Sequence, residues 1–539
     1  DPIEPRRWYH VVGVYDGAVQ RLYVNGEEVA SYEGNKGGVA YPPSGYVEIG
    51  AYRDDNEYYR LTGGIAEVVV YSSPLSADAV AERFLSRVAE FPEPAPEPER
   101  LSIPHGPFVE VRDPHSVTLA WETDTESDVA VHYWPKNRRE ERLVARSVRD
   151  GKRHHLELNG LEDNQEYRFQ VATLAPDVTS WVTKEYEFDT SFYYDTPAAG
   201  RDFDPYPEDE YSEAYRIAAQ RALDAVGVEY GYCLVLDSGE GRLAYEIARR
   251  SRMKVIGLER DPELVQRSRR LLDRAGFYGL RVSVINGSIE DLDLGPYFAN
   301  IMVSDRAIRE GGAPVAAPES VFHSLRPYGG VVLGRSLDSV AHGDAGLWFD
   351  ALEACDVTEV DDEHGRWFIA ERPALPGAGE WSHQYGDAAN TSCSEDELVQ
   401  GEMNVLWWGE PGPRPMPDRG PRNPAPLSSN GRMYVQGNRT LFGLDAYNGA
   451  ILWSLTNPEM RRANLPRDCS NMVAASEGLY LAQGRYCMFL DGGSGERIER
   501  FTAHAHRSAE PYDWGYLSVQ GELLVGSSVR ARGSYLGDD

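Results

Sequence analysis

Two acidic residues and two glycines have the types and spacing of a site for a nucleoside. An apolar run at residues 232–236 predicts a buried strand, and Asp237, Gly239 and Gly241 follow it directly before a predicted helix. Glycines allow a tight turn and let a ligand approach the backbone, while the start of a helix offers unpaired N–H groups. Glu259, eighteen residues past Gly241, ends the next predicted strand, where its carboxylate can accept both hydroxyls of a ribose.

The elements that must position these residues alternate between helix and strand. Residues 209–228 have helical periodicity, and residues 254–258 predict the second strand. The pair Asp261-Pro262 is typical of a helix cap followed by a first-turn proline. Runs at 281–285 and 299–303 predict a third and a fourth strand. This order predicts an α/β, Rossmann-like parallel sheet with a ligand crevice at the carboxyl ends of its strands.

The acid before the glycines distinguishes between two kinds of cofactor. Asp237 would repel the phosphates of a dinucleotide but attract a sulfonium nucleoside that also carries an ammonium group. The segments LVLDSGEGRLAYEIARR and VIGLERDPELVQRSRRLL resemble the first two motifs of class I S-adenosylmethionine-dependent methyltransferases. The resemblance implies that Asp237, Gly239 and Gly241 surround the methionine part of S-adenosyl-L-methionine, with Glu259 on its ribose. It also implies a methyl acceptor, which these motifs do not identify.

Four further positions complete the family pattern or depart from it. Leu243 stands where a third glycine is common, and Ser288 stands where many relatives place an aspartate on the adenine amine. Ile289 can still pack on the adenine ring. Asp305, after the fourth strand, lies where the family often has an aspartate or asparagine near the substrate, and it is the candidate catalytic residue. Its alternative role is the N-cap of the helix RAIREG.

A Pro- and Glu-rich linker at residues 91–100 separates a first domain, residues 1–90, from the rest of the chain. The runs HVVGVYDG, RLYVNGEEV, YVEIGAY and GGIAEVVVY predict strands between glycine turns, and SADAVAERF predicts a helix capped by Ser76. These motifs resemble the C-terminal part of a laminin-G-like (concanavalin-type) jelly roll. The resemblance implies a protein or carbohydrate ligand, but it identifies no ligand residue.

Residues 101–190 predict a second β-sandwich. Alternating apolar residues in SVTLAWET end near Trp121, and the run NGLEDNQEYRFQV includes Tyr167. Together they resemble a fibronectin type III domain, with Tyr167 at the corner tyrosine position. The adjacent His154 and His155 would point to opposite faces of a strand, so they would not share a metal ion, and we predict both at the surface.

The methyltransferase-like domain takes up residues 196–375, and residues 376–539 return to short strands and turns. The stretches GRMYVQGNRTLFGLDAYNGAILWSLT and GLYLAQGRYCMFLDGGSGERIERF form an imperfect repeat. The first resembles the pyrroloquinoline-quinone (PQQ)-like β-propeller repeat, in which a tryptophan, here Trp453, docks between blades. About two blades are visible, so we expect a partial propeller that continues in the natural protein. Quinone-dependent relatives use an adjacent cysteine pair, which this chain lacks, and this argues against PQQ as a cofactor.

Composition excludes several classes of partner. The formal net charge of −32 opposes binding to nucleic acid or to an anionic membrane surface. No run of about 18 apolar residues predicts a membrane span. The five cysteines include no CxxC pair, so no thiolate metal site is predicted.

Two functions remain open from the sequence. The first is methyl transfer from S-adenosyl-L-methionine to an unknown acceptor. The alternative is a non-catalytic surface or periplasmic scaffold, in which the propeller and jelly roll bind partners and the methyltransferase fold is degenerate. The flanking modules favour export, whereas the methyltransferase domain favours the cytoplasm.

Overall fold

The chain forms two compact units, residues 1–100 and 101–539. The computed structural model describes residues 7–34, 36–39, 49–53, 58–60, 64–91, 103–174, 182–191, 193, 199–201, 203–292, 294–337, 339–352, 354–410, 424–437, 439–457, 460, 470–504 and 512–530. Among these residues, no helix combines the length and the apolar character that crossing a membrane requires.

The first unit contains short antiparallel strands and one helix. Its elements are β1 (Val11–Tyr15), β2 (Gln20–Val24), β3 (Glu27–Tyr32), β4 (Ala51–Arg53), β5 (Tyr58–Arg60) and α1 (Ala77–Arg87). Strands β1, β2 and β3 form one sheet, and β4 pairs with β5. The Ser76 hydroxyl accepts from the Ala79 amide at 3.2 Å, which confirms the predicted helix cap.

One predicted strand of the first unit is wrong. Residues 65–71 of the run GGIAEVVVY are exposed and belong to no strand, although their apolar, β-branched composition favours one. No described strand pairs with them, and extended backbone becomes a strand only when a neighbour completes its hydrogen bonds. Residues 46–48 of the predicted run YVEIGAY lie outside the described residues, and its last two residues, Ala51 and Tyr52, belong to β4.

The second unit begins with a β-sandwich. Its strands are β6 (His105–Asp113), β7 (Ser116–Glu122), β8 (Val129–Pro135), β9 (Leu143–Arg146), β10 (Val148–Asp150), β11 (Arg153–Asn159), β12 (Glu166–Thr173) and β13 (Tyr186–Asp189). One layer has the order β10-β11-β7-β6 and the other β13-β12-β8-β9, with all neighbours antiparallel. The predicted second sandwich is therefore confirmed as an architecture.

The core of the sandwich contains both aromatic residues that the sequence pattern singled out. Trp121 and Tyr167 are both buried, and the Tyr167 hydroxyl accepts from the Glu162 amide at 2.9 Å. The predicted surface position of His154 is wrong, because its ring is buried and stacks on Trp121 with centroids 5.2 Å apart. Alternation along β11 leaves His155 exposed, as predicted.

An α/β sheet follows the sandwich. Its elements are α2 (Ser212–Val226), β14 (Tyr232–Leu236), α3 (Arg242–Arg250), β15 (Lys254–Glu259), α4 (Pro262–Arg274), β16 (Val282–Asn286), β17 (Ile301–Ser304), α5 (Asp305–Glu310), α6 (Pro318–Ser324), β18 (Gly330–Ser336), α7 (Ser339–Asp350), β19 (Asp356–Asp362) and β20 (Gly365–Arg372). The strand order is β16-β15-β14-β17-β18-β20-β19, in which β20 pairs antiparallel with both β18 and β19 and the other neighbours pair in parallel. The four predicted strands form the first part of this sheet.

The C-terminal region forms two similar antiparallel sheets and a hairpin. The first C-terminal sheet contains β21 (Leu427–Ser429), β22 (Arg432–Gln436), β23 (Thr440–Asp445) and β24 (Ile451–Thr456). The second contains β25 (Met472–Ala474), β26 (Gly478–Gln483), β27 (Tyr486–Asp491) and β28 (Arg497–Thr502), and the hairpin is β29 (Tyr512–Gln520) with β30 (Leu523–Arg530). The Trp453 indole donates to the Gly492 carbonyl at 3.1 Å, so it links the two sheets.

Strand pairing and a buried cluster of polar side chains join these regions into one unit. Thr456 of β24 pairs with Val109 of β6, which makes the first C-terminal sheet continuous with one sandwich layer. On the α/β sheet, the Asn300 side chain donates to Asp445 Oδ2 at 3.0 Å, and the Arg326 guanidinium forms an ion pair with the same carboxylate. Asp445 is 1% exposed, so these partners, and not water, stabilise its negative charge.

We expect Asp445→Ala to destabilise the second unit by about 3 kcal/mol or more, because it removes the carboxylate that balances the buried charge of Arg326 and that accepts from the Asn300 amide. Hydrogen exchange of the β17 amides measures the loss. Asp491→Ala is the matched control, since Asp491 occupies the same turn position in the repeat but accepts from Gly493 and Ser494 of its own turn. Equal losses in the two variants would contradict the assigned role of the Asp445 network.

Candidate functional site

The sequence Asp237–Gly241, called the bend below, lies beside Glu259 at the carboxyl edge of the α/β sheet. Strands β14 and β15 pair in parallel, with Val235 opposite Gly257. Parallel strands end at the same edge, so the residues that follow them come together. The Gly239 amide donates to Glu259 Oε2 at 2.8 Å. The predicted adjacency of the two motifs is confirmed.

Glu259 is fixed by backbone amides on both of its oxygens. Oε2 accepts from Gly239, and Oε1 accepts from the Asp261 amide at 2.9 Å, at the start of α4. Asp261 itself accepts from the Glu263 amide at 2.8 Å, which confirms the predicted cap. Each carboxylate oxygen has a second lone pair, so Glu259 keeps the capacity to accept two more hydrogen bonds.

Asp237 connects the bend to the end of β17. Its φ of 47° places it in the left-handed region, which turns the chain sharply after β14. The Ser304 hydroxyl donates to Asp237 Oδ2 at 3.1 Å and accepts from the Ala307 amide at 3.2 Å. One serine therefore holds the bend and caps α5 at the same time.

The two glycines of the bend meet different constraints. Both have positive φ, 53° at Gly239 and 82° at Gly241. A Cβ on Gly239 would lie 3.6 Å from Asp305 Oδ1, an ordinary contact, so its backbone conformation is the main reason for glycine there. A Cβ on Gly241 would collide with Ser268 Oγ of α4, so this glycine also allows close helix packing. Leu243, in place of a third glycine, directs its side chain into the core.

Asp305 lies beneath the bend and is 2% exposed. Its Oδ1 accepts from the Tyr215 hydroxyl at 2.9 Å, and Arg309 Nη1 lies 3.9 Å from the same oxygen. Burial raises the pKa of the Asp305 carboxyl to about 7. The alternative role as N-cap is wrong, because Ser304 caps α5 and Asp305 is the first residue of the helix.

Ser288 and Ile289 follow β16 at the same edge. The Ser288 hydroxyl donates to Asp291 Oδ2 at 2.7 Å, and the Ser288 amide donates to the same oxygen at 3.1 Å. The hydroxyl proton is therefore engaged, although the oxygen can still accept from an amine. Ile289 is 5% exposed and belongs to the core cluster of Leu236 and Leu258, which leaves a small surface for a ring. Contact of either residue with adenine stays a prediction.

Residues before and within α2 complete the site, and the sequence reading missed them. The Tyr206 hydroxyl donates to the Glu240 carbonyl of the bend at 2.8 Å, and Arg242 forms an ion pair with Asp209 at 2.7 Å. Helical periodicity identified Tyr215 only as an apolar-face residue. A phenol at a core position signals a buried partner, but the sequence does not identify Asp305 as that partner.

The described part of the chain contains no cluster of side chains for metal or thiol chemistry. No group of three or more His, Cys, Asp or Glu side chains there could hold a metal ion. Four cysteines are described, and all four are free: Cys233, Cys355, Cys393 and Cys487. Cys233 lies fully buried in β14, and burial raises the pKa of its thiol, which fits a core position rather than a reactive one.

Comparison with known families assigns two parts of the chain. Residues 233–345 match the family described as Methyltransferase domain, and this range contains every residue predicted at the cofactor site. Residues 1–81 match the Concanavalin A-like lectin/glucanases superfamily. No curated protein matches the chain. The chain therefore contains a methyltransferase domain with a concanavalin A-like domain before it.

Solved methyltransferases are among the structures similar to part of this chain. Precorrin-6y C5,15-methyltransferase from Geobacter metallireducens is 13% identical, with 33% of this chain and 99% of that chain covered and a TM-score of 0.25. A methyltransferase from Pyrococcus furiosus is 19% identical, with coverages of 29% and 83% and a TM-score of 0.24. A SAM dependent methyltransferase from Aquifex aeolicus is 12% identical, with coverages of 30% and 98% and a TM-score of 0.24.

We expect Asp305→Asn to change how stability depends on pH. The folded carboxyl has its pKa raised from 3.8 to about 7, so the folded protein holds a proton that the unfolded chain has lost between these values. The free energy of unfolding of the native protein should therefore fall with rising pH across this window, by up to about 1.4 kcal/mol per pH unit relative to the variant. Denaturant unfolding at pH 5, 6, 7 and 8 measures the difference. Parallel curves for the two proteins would contradict the burial of an ionisable Asp305.

Proposed function

We propose that residues 196–375 catalyse methyl transfer from S-adenosyl-L-methionine to an acceptor molecule. The observation that carries the proposal is the contact between Glu259 and the Gly239 amide, which places a fixed carboxylate beside a glycine bend at the carboxyl edge of a parallel sheet. In open α/β sheets, ligands bind at this edge. The match of residues 233–345 to the Methyltransferase domain family supports the same chemistry.

The charges around the bend suit a cationic cofactor. Asp237 belongs to the bend, and Glu259 and Asp305 lie against it. The basic group nearest Gly239 is Arg309, whose Nη1 would lie 3.7 Å from a Cβ added to that glycine. The bend also contains Glu240, which pairs with Arg267 at 3.1 Å. The three other carboxyl groups near this short loop favour a ligand with a sulfonium and an ammonium group over one with phosphates. The donor set therefore fits S-adenosyl-L-methionine better than a dinucleotide.

Each predicted residue then has a distinct task. Glu259 accepts the two ribose hydroxyls with its free lone pairs, and the Ser288 oxygen accepts from the adenine amine. Asp237 and the bend surround the methionine part. Burial raises the pKa of Asp305, which lies below Gly239, to about 7, and a bound cation would favour its ionised form, so we assign it to the cofactor side of the site and propose it as a positioning residue. When bound, the cofactor supplies an electrophilic methyl group, and the protein mainly aligns the acceptor with it.

The flanking regions suggest a scaffold around this domain. We propose that residues 1–90 are a jelly-roll module, that residues 101–190 are a fibronectin type III-like sandwich after the linker at 91–100, and that residues 376–539 are a partial PQQ-like propeller. The Tyr167–Glu162 contact supports the second assignment, and the Trp453–Gly492 contact between sheets supports the third. These modules would bind proteins or carbohydrates and would favour an exported protein.

A second candidate function is a scaffold without activity. The observations that favour it are the engaged Ser288 hydroxyl and the small exposed surface of Ile289, which weaken the adenine end of the pocket. The two candidates differ in one measurable property, the affinity of the intact chain for the cofactor.

We expect calorimetric titration of the full chain to show binding of S-adenosyl-L-methionine, and Glu259→Gln to weaken it at least about tenfold. The reason is that a hydrogen bond to a charged group contributes about 1.5–3 kcal/mol. The matched control is Glu263→Gln, because Glu263 is an exposed acid in the first turn of α4, and this variant should leave the affinity unchanged.

Two results would separate the candidates. Absence of binding at about 1 mM cofactor by a protein that melts cooperatively would overturn the methyltransferase proposal and leave the scaffold. Equal weakening by the Glu259 and Glu263 variants would show that the effect is one of general charge and not of a ribose contact.

A further inference from the structure

A cavity of about 630 Å³ lies where the sandwich, the α/β sheet and the two C-terminal sheets meet. Strands β6 and β7, the connection from α2 to β14, strand β24 and the turn before β28 all contribute to its wall. The apolar part of the wall contains Phe108, Val109, Leu452, Trp453, Met488 and Leu490. Sites for small organic molecules commonly have volumes of roughly 300–1,000 Å³ and lie between domains.

One end of this cavity is basic, although the whole chain is strongly acidic. Arg497 lines the cavity and donates to Glu122 Oε1 at 2.7 Å, while Arg500 donates to Glu122 Oε2 at 2.7 Å. Arg153 Nε lies 3.5 Å from the same carboxylate. Burial, together with these guanidinium groups, lowers the pKa of the neighbouring His105 to about 3, so it is neutral. One carboxylate therefore pairs with both Arg497 and Arg500, and the positive charge at this end exceeds the negative charge of Glu122.

Arg497 has an unused donor at this end. Its Nη1 is buried and has no hydrogen-bond partner among the described residues. Buried polar atoms are nearly always paired, so this unpaired nitrogen, on a residue that lines the cavity, is a donor available to an acceptor bound there. A carboxylate satisfies both the donor and the excess positive charge.

The acids that line the cavity do not block such a ligand. Glu110, Glu229 and Glu496 are exposed, so water screens their charge. Asp491 is engaged by its own turn, where it accepts from the amides of Gly493 and Ser494 at 3.0 and 2.8 Å. The charge that a ligand meets inside the cavity is therefore set mainly by Arg497.

We propose that this cavity binds an apolar carboxylate, whose head accepts from Arg497 Nη1 and whose aliphatic or aromatic body contacts Trp453 and its apolar neighbours. This site is distinct from the bend, and it gives the junction of the flanking modules a ligand of its own. The proposal does not depend on methyl transfer, because no residue of the cavity belongs to the cofactor site.

Titration of the full chain with decanoate and with indole-3-acetate tests the proposal, with tryptamine as the probe of opposite charge. We expect both carboxylates to bind and tryptamine to bind at least about tenfold more weakly. For decanoate, which has no indole chromophore, a change in tryptophan fluorescence gives a second readout, since Trp453 lines the cavity.

Two variants that each lose one ion pair with Glu122 form a matched pair. Arg497→Gln should weaken binding of both carboxylates at least about tenfold, whereas Arg500→Gln, which does not line the cavity, should change it less than about threefold. Ser454→Trp should block binding by filling the cavity while Arg497 stays in place. Tighter binding of tryptamine, equal effects of the two arginine variants, or no binding of either carboxylate at about 5 mM would each overturn the proposal.

Discussion

Parallel pairing of β14 with β15 is the constraint on which the cofactor site depends. It brings the bend and Glu259 to one edge, where the Gly239 amide and the Glu259 carboxylate form a hydrogen bond of 2.8 Å. This bond sets the bend before any ligand binds, because the second carboxylate oxygen is held by the Asp261 amide. A ribose would then meet an acceptor whose position is already fixed, which lowers the ordering cost of binding.

The two ends of the neighbouring strand β17 contact different parts of the second unit. At its start, Asn300 donates to Asp445 and accepts from the Asn448 side chain, so the amino edge of the α/β sheet is covered by the first C-terminal sheet. At its end, Ser304 and Asp305 hold the bend at the carboxyl edge. The C-terminal region thus contacts the edge of the α/β sheet that is opposite to the edge with the bend.

The two proposed sites of the second unit differ in the charge of the side chains around them. Asp305 is buried with a tyrosine hydroxyl as its closest donor, so its ionised form is unfavourable, and a cation at the bend would favour it. Glu122 instead faces three arginines, and the surplus there is positive. The two proposed sites would therefore favour ligands of opposite charge within one acidic chain, a difference that the net charge of −32 conceals.

The sequence by itself determined the α/β order, the bend with Glu259, the α1 and α4 caps and the presence of a sandwich, because these follow from local periodicity, glycine positions and cap residues. Tertiary structure alone decided which partners meet. It buried His154 against Trp121 and left residues 65–71 outside the strands of the described part of the chain. It also brought the Asp305 carboxylate to the Tyr215 hydroxyl instead of to a helix cap, and it formed the cavity beside Arg497. Such contacts join residues far apart in the chain, and no local pattern specifies them, because their energy depends on burial that only the assembled fold creates.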